Sequence, residues 1–206
     1  MEIKQVQEII NKIADKIIEN KDYLTELDRS IGDADHGSNM AKGFKFTKDA
    51  IEGDFEDYKT LFNKVATTLL SKVGGASGPL YGSFFMKFAA SLKDISDLDR
   101  DTLNKAFASG LEGVKQRGKA EVGDKTMVDV LEPVSDALNE GKTYDEVIKV
   151  AEEAMNKTKD IKANKGRASY VGERSIGHID PGAVSYTHLT LPTTWPLCRS
   201  RWSPYH

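Results

Sequence analysis

The chain has 206 residues, 39% hydrophobic and 30% charged, and its 29 Lys and Arg stand against 32 Asp and Glu for a formal charge of −3. That length suits one sizeable core or two small ones, and the slight acidic excess argues against a dedicated nucleic-acid binder. The single Cys excludes a disulfide framework and a cysteine zinc site, no apolar run approaches the ~20 residues of a membrane span, and the charged start MEIKQVQEIINKIADKIIEN is no signal peptide. A cytoplasmic globular protein, partnered by neither nucleic acid nor membrane, is the expectation.

In chain order, apolar residues recur at helical spacing. Ile3, Val6, Ile9, Ile10, Ile13 and Ile17 predict a helix over 2–20, and a further helix is expected over 38–51. Phe55, Tyr58, Leu61, Phe62, Val65 and Leu69 predict one over 55–72, and Leu80, Phe84, Phe85, Phe88 and Leu92 one over 79–93. Leu103, Phe107, Leu111 and Val114 mark 100–116; Met127, Val130, Leu131, Val134 and Leu138 mark 125–139; Tyr144, Val147, Ile148, Ala151 and Met155 mark 143–159. Gly53, Gly141 and the stretch Asp94–Asp99 supply breaks. Asp180-Pro181-Gly182 reads as an N-cap with Pro at the first helical position, so an eighth helix should start there. No alternating strand pattern occurs. The expected fold is all-α, with short connections that make sequential helices antiparallel neighbours.

Composition shifts near Ser185. The stretch 186–206 holds both Trp, the only Cys and three of the six Pro (Pro192, Pro196, Pro204), and contains no Lys, Asp or Glu. It shows no helical period, and its prolines would break one. It reads as non-native read-through in preference to a Pro-rich docking tail. The domain is therefore drawn at 1–185, with 186–206 outside the fold and the native C-terminus missing.

Four polar segments interrupt the helical pattern: LDRSIGDADHGSNM (27–40), KVGGASGPLYGS (72–83), KQRGKAEVGDKTM (115–127) and GRASYVGERSIGHIDPGA (166–183). In an antiparallel array alternate junctions share one end, so a site built from several loops is natural. Asp28, Asp33 and Asp35 repel one another unless a cation sits between them, and oxygen-only ligands favour Mg²⁺ or Ca²⁺. The same residues also suit solvated turns and caps. An EF-hand is excluded, because Ser38 stands at the loop-glycine position and Phe44 at the twelfth. His36 is either a phosphate donor or an exposed loop residue, and Asn39 a cap or a ligand contact.

Gly74-Gly75-Ala76-Ser77-Gly78-Pro79 precedes an apolar helix, an arrangement that suits either anion binding at a helix N-terminus or a plain flexible turn. It is no Walker A loop, since no Gly-Lys-Ser/Thr follows. Beside the aspartates it makes a coherent pair, one segment for a cation and one for phosphate oxygens. Arg167, Arg174 and His178 lie in a Gly-rich stretch with little helical pattern, where an Arg either neutralises phosphate charge from a lid or is simply exposed. Met127 reads as core as readily as ligand contact.

Taken together, LDRSIGDADHGSNM, GGASGPLYG, GDKTMVD and GRASYVGERSIGHIDPGA resemble, in order and spacing, the nucleotide-binding L subunit of dihydroxyacetone kinase, the DhaL family, of the phosphotransferase-system-dependent type. The resemblance spans 1–185. It implies a barrel of eight antiparallel helices with ADP or ATP at one end, and two Mg²⁺ held by Asp28, Asp33 and Asp35. It further implies phosphate-side contacts from His36, Gly37, Ser38, Asn39, Ala76 and Ser77. Gly118, Met127, Arg167 and the Asp180-Pro181-Gly182 turn would complete the nucleotide contacts, with Arg167 as the catalytic residue.

The family also implies partners, and assembly as a homodimer or hetero-oligomer. A K subunit binds dihydroxyacetone covalently, and a phosphohistidine M subunit recharges ADP to ATP on the L subunit. No general base for the sugar hydroxyl is visible, so the partner would supply it. Met1 opening directly onto the first helix favours the free-standing subunit over a fused one. The alternatives are a related dihydroxyacetone or acyl kinase domain that exchanges ATP, and a nucleotide-loaded regulator of a transcription factor. With the final helix lost after about Ser185, the barrel is expected to lack a wall and to expose apolar surface along its first and seventh helices.

Overall fold

The computed structural model describes residues 1–190, with backbone alone over 188–190. Its elements are α1 (Ile3–Glu19), α2 (Lys21–Arg29), α3 (His36–Ala50), α4 (Tyr58–Lys72), α5 (Ser77–Ser91), α6 (Arg100–Gly118), α7 (Val128–Asn139), α8 (Tyr144–Lys157) and α9 (Pro181–Thr190), with 3-10 segments at Thr158–Asp160 and Arg167–Ser175. No strand occurs among the described residues, so the fold is all-α as expected. No helix among them is long and apolar enough to cross a membrane.

Local chemistry sets the helix ends. The Asp57 and Asp99 side chains accept the Thr60 and Thr102 backbone N–H groups at 2.6 and 2.8 Å, capping α4 and α6. Thr143 and Glu146 form a capping box that starts α8. At the other end of α6, Lys119 takes the left-handed conformation at φ 50°.

Three features depart from the sequence expectations. α2 forms where none was expected, because only Leu24 and Asp28 of its nine residues are buried and so leave no apolar stripe to read. Arg167–Ser175 is 3-10 helix interrupted at Gly172 (φ 59°, ψ −128°), in a stretch that showed little helical pattern. And α9 continues five residues past the expected break at Ser185. The first proline beyond that break is Pro192, so nothing in 186–190 forbids helix. The remainder of the tail, with both Trp and Cys198, lies outside the described residues.

The helices close a ring. α1 packs on α3, and from there each helix packs on the next through to α9, which returns to α1; α2 packs on α3 and α9. The expectation of a missing wall, with bare faces on α1 and α8, is therefore corrected: α9 covers both. It does so with Ala183, Val184 and Tyr186, all buried. The Tyr186 ring stacks on Tyr81 at 4.3 Å and meets Phe84 edge-on at 5.6 Å. Burial of such a ring stabilises by roughly 1.5–3 kcal/mol. Inside the ring one apolar cluster runs from Val6, Ile9 and Ile13 of α1 through Leu61 and Val65 of α4 to Phe84 and Phe88 of α5. α5 and α6 approach closely at Gly113, where a Cβ would lie 2.6 Å from the Ser83 carbonyl oxygen.

Candidate functional site

The four polar segments occupy the α2–α3, α4–α5, α6–α7 and α8–α9 junctions and enclose a cleft of about 390 Å³. That volume lies within the range of small-molecule sites.

One rim of the cleft is acidic. Asp28 sits in the last turn of α2, and its Oδ2 accepts the backbone N–H groups of Asp35 at 3.0 Å and His36 at 3.2 Å. Its carbonyl accepts Gly32 N–H at 2.6 Å, so the loop folds back over the helix end. One carboxylate oxygen from each of Asp28, Asp33 and Asp35 lies within 4.8 Å of the other two. Desolvation pushes the Asp35 carboxyl up, and the charges of Asp33 and Asp28 add to this against a hydrogen bond from Asn39. Asp33 Oδ2 meets Arg167 Nη1 at 2.8 Å. A set of oxygen donors crowded against their own repulsion fits a hard divalent cation.

Next to this rim stands the start of α5, reached through Gly75 at φ 65°, with Ala76 and Ser77 lining the cleft. A helix N-terminus offers free N–H groups and a positive dipole end to an anion. His36, the first residue of α3, is buried between the two. Its Nδ1 lies 3.2 Å from Ser77 Oγ and its Nε2 3.1 Å from Ser185 Oγ. Burial pushes the ring down to about 4, in spite of the nearby Asp28 charge and the Pro181 carbonyl, so the imidazole is neutral at physiological pH.

Apolar side chains of Ile31, Leu80, Val114, Met127 and Ala168 also line the cleft. Gly118 and Gly182 keep the space open: a Cβ would lie 3.2 Å from Leu80 Cδ2 at the first and 3.4 Å from Met127 Cε at the second. Asp180 caps α9 by accepting Ala183 N–H at 2.7 Å, as its place in the sequence suggested. Desolvation pushes its carboxyl up to about 7, and Asp129 and Asp28 add to this against the Ala183 bond and the Lys125 charge.

The structure gathers most of the residues singled out from the sequence. Asp28, His36, Ala76, Ser77 and Gly118 line the cleft, as do Met127, Arg167 and the Asp180-Pro181-Gly182 turn. Asp33 and Asp35 join them through the acidic cluster. Gly37, Ser38 and Asn39 are not among the lining residues. Gly37 faces α2, where any Cβ would overlap the Lys21 carbonyl; Ser38 is exposed; Asn39 lies against Gly74 and bonds Asp35.

Other participants were missed. Arg117 and Lys165 bring cations to the lining, and Lys125, also in the lining but only 1% exposed, has its Nζ bonded to three backbone carbonyls. Tyr81 and Ser185 stand behind His36. Tyr81 lies outside the apolar stripe read for its helix, and charge alone does not separate a buried Lys from a solvated one.

The family identified as Dak2, the DAK2 domain, matches residues 30–191. The chain belongs to the DAK2-domain family. Among its DAK2-domain relatives is the PEP-dependent dihydroxyacetone kinase 1, ADP-binding subunit DhaL, of Listeria innocua, 49% identical over 85% of this chain and 87% of that protein. Another is the PTS-dependent dihydroxyacetone kinase, ADP-binding subunit DhaL, of Lactococcus lactis, 50% identical over 88% of this chain and 91% of that protein. These relatives are subunits of a phosphotransferase. The crystal structure of the dihydroxyacetone kinase of C. freundii in complex with AMP-PNP and Mg²⁺ shares the fold, with a TM-score of 0.75 at 23% identity over 94% of this chain and 34% of that one. The DAK2 match runs past Ser185, in agreement with the extent of α9.

Proposed function

We propose that this chain is the ADP-binding, phosphoryl-transfer subunit of a dihydroxyacetone kinase driven by the phosphotransferase system. The observation that carries this reading is the meeting of three carboxylates, the neutral His36 and the first turn of α5 at the mouth of one apolar-walled cleft. The identity of about one residue in two with two DhaL subunits supports it.

In this reading the adenine and ribose lie between Leu80, Val114, Met127 and the Gly182 turn, and the phosphates lie over Ala76 and Ser77. Asp28, Asp33 and Asp35 would hold two Mg²⁺, which would neutralise phosphate charge. Arg167 pairs with Asp33 at the edge of the cleft, where its guanidinium would add positive charge beside the phosphoryl oxygens. The protein's part is positioning and electrostatics: Arg117, Lys165 and Arg167 bring positive charge to the cleft, and the α5 amides add their dipoles. A phosphohistidine M subunit recharges the nucleotide, and a K subunit presents dihydroxyacetone to the same mouth.

Purification in Mg²⁺ without added nucleotide, followed by denaturation and chromatography, tests this. One ADP released per chain is the expected result. An empty protein would overturn the resident nucleotide and favour an ATP-exchanging kinase domain. The Asp33→Ala variant should lose Mg²⁺-dependent retention altogether.

A further inference from the structure

Behind the cleft a buried hydrogen-bonded chain runs away from the phosphate side. Ser77 Oγ lies 3.2 Å from His36 Nδ1, His36 Nε2 lies 3.1 Å from Ser185 Oγ, and the Tyr81 hydroxyl donates to Ser185 Oγ at 2.7 Å. Ser77 and His36 line the cleft; Ser185 and Tyr81 do not, and both are fully buried. We infer that Tyr81 and Ser185 are positioning residues that set the tautomer of His36, and through it decide whether the Ser77 hydroxyl donates to His36 or to an anion in the cleft.

Ser185 has a single hydroxyl hydrogen and two partners that can accept it, His36 Nε2 and the Gly182 carbonyl oxygen at 3.1 Å. If it goes to Gly182, then Nε2 carries the imidazole proton and donates to Ser185, and Nδ1 accepts from Ser77. Ser185 then accepts from both Tyr81 and His36, every group in the chain is satisfied, and Ser77 has no hydrogen to offer the cleft.

If instead Ser185 donates to Nε2, the imidazole proton sits on Nδ1 and donates to Ser77 Oγ. The Ser77 hydrogen is then free for a phosphate oxygen. This second arrangement needs an acceptor in front of Ser77, since an unmet donor there is unfavourable. An anion therefore selects it. The Tyr81 hydroxyl, donating to Ser185 in both arrangements, holds that oxygen in place. Each donor in the second chain polarises the next, which strengthens the final bond to the anion.

This inference rests on the nucleotide reading, and the test separates the two. Full-length protein labelled with ¹⁵N at histidine is followed by NMR at neutral pH while Mg·ADP is added, with the Met127 methyl signal reporting occupancy of the cleft. The expected result is a His36 ring protonated on Nε2 in the free protein and on Nδ1 in the complex. Ser185→Ala should keep the Met127 response but lose the tautomer change, and Tyr81→Phe, which frees the Ser185 oxygen from its anchor, should keep the response and leave the change incomplete. In Ser185→Ala, affinity for ADP should fall by about fivefold, as for the loss of one hydrogen bond. A Met127 response with an unmoved His36 tautomer overturns the positioning role alone. Absence of any Met127 response overturns the nucleotide reading and this inference with it.

Discussion

Two polar centres share one end of the ring, and they are built in opposite ways. At the rim, Asp28, Asp33 and Asp35 face one another across less than 4.8 Å. At the floor of the cleft, Lys125 and Asp129 are almost wholly buried and Asp180 is partly buried, and backbone satisfies them. Lys125 Nζ donates to the carbonyls of Thr158, Ile161 and His178 at 2.7, 3.1 and 2.6 Å. Asp129 accepts Gly123 and Thr126 N–H groups at 2.7 and 2.6 Å. Charges that find backbone partners tie loops together, whereas carboxylates turned on each other leave lone pairs for something that is not protein. In the lower centre the residues staple the α6–α7 loop to the two segments that lead into α9. In the upper one Asp28 alone has such a role, because it also accepts two N–H groups.

α9 belongs to both centres, so shortening it should damage both. Asp180 starts the helix, Ser185 touches His36, and Tyr186 lies under Tyr81. A chain ending at Ser185 empties the places of Tyr186 and Thr187, with an expected loss of about 4 kcal/mol, as for a large core truncation. A urea denaturation curve unchanged by this truncation would show that the part of α9 beyond Ser185 does not hold the ring closed.

Within the lower centre, Lys125→Met keeps the packing of the side-chain stem but leaves three carbonyls without their donor. A loss of about 3 kcal/mol is expected, measured by the denaturation midpoint. A smaller change than at an exposed lysine would remove the staple.

Asp180→Asn sharpens the contrast by pH. Its carboxyl lies at about 7 in the folded chain, above the ordinary 3.8. Between those values the folded state holds a proton that the unfolded state has lost. The stability supplied by this group is therefore full below about pH 4 and is lost as the pH rises through 7. Asn retains a cap for Ala183 N–H and has no proton to lose. The variant should gain on the order of 2 kcal/mol relative to wild type between pH 4 and pH 8 in Mg²⁺-free buffer. A parallel pH profile for the two proteins would place the titration elsewhere.

Much of this was legible in the sequence, and the parts that were not share physical causes. The long helices were readable because each buries a stripe: α1 buries Val6, Ile9, Ile10, Ile13, Ala14 and Ile17 at helical spacing. α2 was not, since a nine-residue connector with one buried apolar side chain has no period. The extent of α9 was not legible because composition was read over 186–206 as a block, whereas 186–190 continue the helix that starts at Pro181. The acidic rim was readable because its three carboxylates are close in sequence. The staple and the Tyr81–Ser185–His36 chain were not, because their partners lie 33 to 149 residues apart and meet only through the closure of the ring.

The smallest expected effect divides the rim itself. Asp33 and Arg167 have side chains 38% and 53% exposed, so their ion pair contributes little in water. Its loss in Asp33→Ala is offset by relief of the repulsion against Asp35 and Asp28. Thermal or urea unfolding without Mg²⁺ should then shift by no more than about 0.5 kcal/mol, even though Mg²⁺-dependent nucleotide retention is lost. Asp28→Ala strips the acceptor from the Asp35 and His36 N–H groups and should lose about 1–2 kcal/mol under the same conditions. Equal losses in the two variants would mean that Asp33 also holds the loop. A carboxylate free of that duty can be removed from the site without loosening the fold that presents it.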